Sequence, residues 1–301
     1  MKKSILTLIA AAFWLLAQPA QAALKVLACE PEWAALVHEL AADNASVSSA
    51  TTALQDAHHI EARPSLIARA RNADLVVCTG SELEVGWLPP LLRQSGNARI
   101  QPGEPGYLET SQLVPRFEIP KVLDRSLGDI HPAGNPHVHL DPRNIAKIAQ
   151  VLSERLAHLD PANADTYRAR TAAFLARWGA AIRRWETEAV PLKGLTMVVY
   201  HKNMSYLNAW LGLREVGSLE PKPGMPPTTA HLAELVARMQ TAPAKAIVYA
   251  AYNNPQAAEF LSERTKIPAV MLPFTVGGSD SAKDLFGLFD DTLARLLAVL
   301  K

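Results

Sequence analysis

Residues 160–189 read DPANADTYRARTAAFLARWGAAIRRWETEA. Asp160 followed by Pro161 is a helix-start signal, a capping side chain and then a proline that costs nothing in a first turn. From there the chain reads helical to about Ala189, ending before Pro191. Roughly 30 residues is long for a globular helix. Such a helix is expected to run along or between lobes, with a break near Gly179 as the alternative.

Working outward, both flanks alternate short apolar runs with helical stretches. On the N-terminal side, Lys25–Cys29 reads as a strand and Glu32–Ala42 as a helix with Trp33, Leu36, Val37 and Leu40 on one stripe. Val47–Leu54 is a strand candidate, Pro64–Asn72 a helix opened by proline, and Asp74–Cys78 a buried strand. Residues 101–136 are rich in Pro and Gly and offer only Gln112–Pro115 as a strand candidate, before a helix over Pro142–Leu159. On the C-terminal side, strands are expected at Thr196–Tyr200, Glu215–Leu219, Ala246–Ala251 and Ala269–Leu272. Helices are expected at Met204–Leu211, Thr229–Met239, Gln256–Thr265 and Lys283–Leu300. Strand–helix alternation implies parallel sheets covered by helices. The expected fold is therefore α/β: an N-terminal lobe over 23–159, a bridging helix over 160–190 and a C-terminal lobe over 191–301.

Residues 1–22 carry Lys2 and Lys3, an apolar run from Ile5 to Leu16, and Ala20-Gln21-Ala22. That combination reads as a signal peptide cut after Ala22 and implies a periplasmic protein. The apolar run is short for a membrane anchor, which needs about 20 residues. Lys and Arg number 30 and Asp and Glu 29, so loss of Lys2 and Lys3 takes the net charge from +1 to −1. A near-neutral chain without a basic patch argues against nucleic acid as a partner. Cys29 and Cys78 each end an apolar run. If those runs are neighbouring strands, the two sulfurs meet as a disulfide, which the periplasm permits, or remain two buried thiols. A two-Cys metal site has less support, because neither has a close ligand partner in sequence.

The placement of the nine histidines carries the chemistry. His58 and His59 follow a candidate strand in Asp56-Ala57-His58-His59-Ile60-Glu61. His137 and His139 precede a helix in Asn135-Pro136-His137-Val138-His139-Leu140-Asp141-Pro142. His201 ends the strand Thr196–Tyr200. Ligands of open α/β sheets bind beyond the carboxyl ends of strands, so three segments offer imidazoles where a metal site between two lobes needs them. His38, His158 and His231 fall within helical patterns, and His131 clusters loosely with His137 and His139.

These segments resemble the metal-binding substrate-binding proteins of ABC importers, the group of periplasmic zinc- and manganese-binding proteins. The resemblance rests on Asp56-Ala57-His58 followed by Pro64-Ser65, on Asn135-Pro136-His137-Val138-His139-Leu140-Asp141-Pro142, on Val198-Val199-Tyr200-His201 through Tyr206, and on Gly212-Leu213 through Gly224. It implies two α/β lobes bridged by a long helix with metal in the cleft, and His58, His137 and His201 as ligands. Ala57 and His139 depart from the pattern, which has Pro and Trp there. In many relatives a fourth ligand is an Asp after the last strand; here Val276 stands near that place and Asp280 is the candidate. His59, His139 and Glu61 are alternates. Imidazoles favour zinc over manganese or iron. The function implied is capture of zinc and its delivery to an importer permease by a monomer, with a metallochaperone as a possible further partner. A secreted zinc enzyme is the alternative from another class, but neither His-Glu-x-x-His nor Gly-x-Ser-x-Gly occurs. An adhesive role draws no support from the sequence.

Overall fold

The structure, a computed structural model, describes residues 23–124 and 128–301; the expected signal peptide lies outside them. The N-terminal sheet comprises β1 (Leu24–Ala28), β2 (Ala45–Ser49), β3 (Leu75–Cys78) and β4 (Tyr107–Glu109) in the order β2-β1-β3-β4, all parallel. The C-terminal sheet repeats that order with β5 (Thr196–Val199), β6 (Arg214–Ser218), β7 (Ala246–Ala250) and β8 (Ala269–Leu272), as β6-β5-β7-β8.

Helices complete both lobes: α1 (Pro31–Ala41), α2 (Pro64–Asn72), α3 (Leu88–Ser95) and α4 (Pro142–Leu159) before the bridge, and α6 (Ser205–Leu211), α7 (Thr229–Thr241), α8 (Gln256–Thr265) and α9 (Leu285–Ala298) after it. Between them α5 runs unbroken through Gly179 from Ala164 to Glu188, 25 residues. Its buried residues Tyr167, Thr171, Phe174, Trp178, Ala181 and Trp185 recur every three or four positions and form one stripe. The stripe lies in an apolar core that continues into both lobes, from Trp33, Leu36 and Leu152 to Trp210 and Phe289. The outer face of each sheet has a smaller core of its own.

Several expectations change. The 160–189 segment begins with a single 3-10 turn at Pro161–Asn163 before α5. Asp160 does not cap α5; its carboxylate accepts from the Tyr167 hydroxyl at 2.6 Å and the Asn163 amide at 2.7 Å. The second strand runs Ala45–Ser49 rather than Val47–Leu54; the chain bends at Ala50 and Thr51 and then turns at Ala53–Leu54. Gln112–Pro115 is no strand: Thr110–Leu113 is a 3-10 turn, and the edge strand lies earlier at Tyr107–Glu109. Helix α3 is an element beyond those expected; its Pro89 and Pro90 lie in the first turn, where proline is tolerated. Cys29 and Cys78, at the ends of neighbouring β1 and β3, are joined as a disulfide. They are therefore neither free thiols nor metal ligands. Among the described residues, no helix is long and apolar enough to cross a membrane.

Candidate metal centre

Each site segment is held by local bonding that its sequence dictates. In the loop after β2, the Asp56 carboxylate accepts from the His58 backbone N–H at 3.0 Å, a turn that suits Asp. The Trp87 indole donates to Ala57 O at 2.8 Å and pins the loop to α3. Asn135 fixes the His137 segment: its Oδ1 accepts from His137 N at 3.1 Å, while its amide donates to Lys202 O and Glu118 Oε2, both at 2.9 Å. Lys202 follows His201, so this one side chain ties two histidine segments together across the cleft. The Tyr206 hydroxyl donates to Asn135 O at 3.0 Å and reinforces the tie.

The result is convergence of His58, His137 and His201, each offering a ring nitrogen within 4.8 Å of the other two. His58 and His201 come from opposite sheets, and His137 from the segment leading into α4. Side-chain exposure is only 12% for His58 and 10% for His201, and His137 is 2% exposed as a residue. His58 Nδ1–H donates to Asp56 Oδ1 at 2.6 Å, and His201 Nδ1–H donates to Glu220 Oε2 at 2.7 Å. A carboxylate on Nδ1 fixes the tautomer and leaves Nε2 as an inward lone pair, the arrangement seen behind metal-bound histidines. Neither His137 nitrogen has a hydrogen-bond partner although both are buried. A buried polar atom without a partner is costly, and an ion bound between the rings would satisfy it.

Electrostatics agree. Burial pushes His137 well below the usual imidazole range, and the neighbouring His58 and His201 push it further. Burial likewise lowers His131 to about 4, with His58 and His201 adding to the effect. Burial alone would raise Asp56, but the His58 ring bond, the attraction of His58 and the bond from its backbone N–H together outweigh this and hold the carboxyl at about 2. Burial thus keeps His137 and His131 neutral, and an anion stands behind His58. A cavity of about 20 Å³ beside His58 and His137, lined also by His139, Tyr252 and Phe274, has room for a water-sized body and no organic ligand.

Other expected residues lie apart. Asp280 is exposed and outside the three-histidine group. The segment after β8 turns the Phe274 ring towards the site instead, 5.5 Å from His137 and 5.1 Å from His139. His59 and Glu61 are exposed, the His59 ring 6.0 Å from that of His58. His139 is buried but engaged elsewhere: Nε2–H donates to Phe274 O at 3.0 Å and Nδ1 lies 3.2 Å from Glu32 Oε1. Sequence reasoning passed over Glu220, Asn135 and His131 as site residues. Glu220 and Asn135 reach their partners only through the fold; His131 had a faint signal, six positions before His137.

A model of the family described as zinc-uptake complex component A, periplasmic, matches residues 26–299. The chain belongs to this family. The family is one of solute-binding components of metal importers, not of enzymes. Relatives include the high-affinity zinc uptake system protein ZnuA of Yersinia pestis, 26% identical over 59% of this chain and 60% of that protein. The zinc-binding lipoprotein AdcA of Streptococcus pneumoniae is 25% identical over 65% of this chain and 39% of its own length. The iron-binding protein YfeA of Yersinia pestis is 25% identical over 67% of this chain and 62% of its own. These alignments thus span less than two thirds of each relative. Among solved structures, a crystal structure of ZnuA superposes with a TM-score of 0.75 at 20% identity, covering 91% of this chain and all of that one. A manganese-bound periplasmic metal-binding protein from Candidatus Liberibacter asiaticus gives 0.74 at 17% identity, covering 92% and 99%. At these identities the likeness speaks for the shared two-lobe fold.

Proposed function

We propose that this protein captures a single zinc ion in the periplasm and delivers it to the permease of an ABC importer, acting as a monomer. The observation that carries this is the meeting of His58, His137 and His201 with carboxylates behind two of them. Three imidazoles suit zinc, whereas manganese sites draw on carboxylates, and the expected carboxylate Asp280 stands outside the group. Export by the segment at 1–22 and loading by a metallochaperone belong to the same reading. The names of the zinc-binding relatives support zinc; the iron-binding relative marks the competing cargo.

The test is titration of metal-stripped protein with zinc, then competition with manganese and ferrous iron. One zinc per chain that excess manganese does not displace supports the proposal. Preferential manganese or iron binding overturns the cargo, and no tight metal binding overturns the site.

A further inference from the structure

We infer that His131 is a fourth ligand of the bound ion and makes the site an all-imidazole tetrahedron. This rests on the proposed metal site. His131 Nε2 lies 3.2 Å from His58 Nε2. Both rings carry their Nδ1 proton towards an acceptor, His58 to Asp56 at 2.6 Å and His131 to Ser81 O at 3.0 Å. Each neutral ring has only one N–H. With both protons committed outward, two lone pairs face each other at hydrogen-bond distance with no proton between them. A shared cation resolves that contact. Two nitrogens about 2.0–2.1 Å from a tetrahedral zinc lie about 3.3 Å apart, which matches the observed separation.

The backbone holds His131 there. Asp129 N donates to Pro223 O at 2.8 Å, so this segment of the N-terminal half is fastened to the loop beside Glu220, the partner of His201. Glu220 also accepts from Gly224 N at 2.9 Å, which links the anchor of one imidazole to the support of another. The rings of His131 and His137 are 6.5 Å apart in an edge-to-face arrangement, and His131 stands outside the three histidines whose nitrogens lie within 4.8 Å of one another, so it joins the shell by closing inward on the ion. The outer side of His131 borders an open cavity of about 300 Å³ that also touches Glu118, Asp129 and His201. His131 therefore stands between that opening and the inner three histidines, where a ligand would both complete the shell and slow release.

X-ray absorption on the zinc-loaded full chain counts coordinated imidazoles by their outer-shell scattering. Four in the wild type and three in His131→Gln are expected. The variant should bind zinc more weakly by about tenfold or more, the scale that even an outer partner's loss produces, and release it faster to a chelator. Three imidazoles in wild-type protein that binds one zinc tightly, with affinity unchanged in His131→Gln, would overturn this inference and leave the three-histidine site standing. Failure of the wild type to bind zinc would instead overturn the site as a whole. The wild-type count needs no variant, so a folding defect in His131→Gln cannot obscure the answer.

Discussion

At the scale of single residues, the candidate site depends on where protons reside. Removing His58, His137 or His201 by alanine substitution should each weaken zinc binding severely, whereas His59→Ala, Glu61→Gln and Asp280→Asn should leave it unchanged; isothermal titration checks both sets. Asp56→Asn should cost about 10–100-fold in affinity, because it removes the anion that orients His58 and raises its basicity. The pH dependence follows from His137 and His131, whose folded-state values lie below the ordinary 6.5. A histidine depressed by folding binds fewer protons folded than unfolded. Its contribution is intact above about pH 6.5 and is lost as pH falls towards the folded value, about 4 for His131. The metal-free protein should therefore lose stability on acidification through that window, and less so as His131→Gln. Urea midpoints at intervals between pH 7 and 4 would show this, and equal slopes for the two proteins would contradict it. Glu84 acts oppositely: burial lifts it to about 7, so its share is present at low pH and lost on raising pH through that value. Comparing the variant with wild type cancels this shared term.

Secondary-structure elements and cross-links set how firmly these residues are held. The disulfide joins the carboxyl ends of β1 and β3 across a sequence separation of 49, directly before the buried Glu30 and Thr79. Closing a loop of that size is worth about 4 kcal/mol in the chain-entropy account. Replacing both cysteines by serine should lower stability by roughly that amount while zinc stoichiometry remains one per chain, because neither sulfur is a ligand; stoichiometry below one would reopen that point. Helix α5 contributes Trp178, fully buried, whose indole donates to Pro142 O at 2.8 Å at the start of α4. Trp178→Ala should cost about 3–5 kcal/mol by cavity formation, with the lost hydrogen bond adding to it. The helix also pairs outward with each lobe, Arg177 with Glu39 and Arg184 with Asp290. Such exposed pairs are worth about 0–1 kcal/mol, so either can be deleted with little effect on thermal stability.

For the whole molecule, the continuous core under α5 couples the lobes. Calorimetry should show one unfolding transition, and two separated peaks would contradict that coupling. Saturating zinc binds only the folded state, so at about 100 times its dissociation constant it should add about 2.7 kcal/mol. Much of this architecture is legible in the amino-acid sequence by itself. Apolar runs with parallel-strand character and the 3.6-residue stripes of the helices are local patterns, and they determine two α/β lobes and a long bridge. The histidine segments are legible too, because ligands on such sheets collect at strand ends. What tertiary structure alone decided is which side chains meet. Glu220 reaches His201 from 19 residues away, Asn135 reaches Lys202 from 67, and Asp280 points to solvent while Phe274 turns inward. The physical reason is that secondary structure answers to neighbours within a few residues, whereas the distance between two ring nitrogens is fixed by how two packed sheets sit against one shared helix.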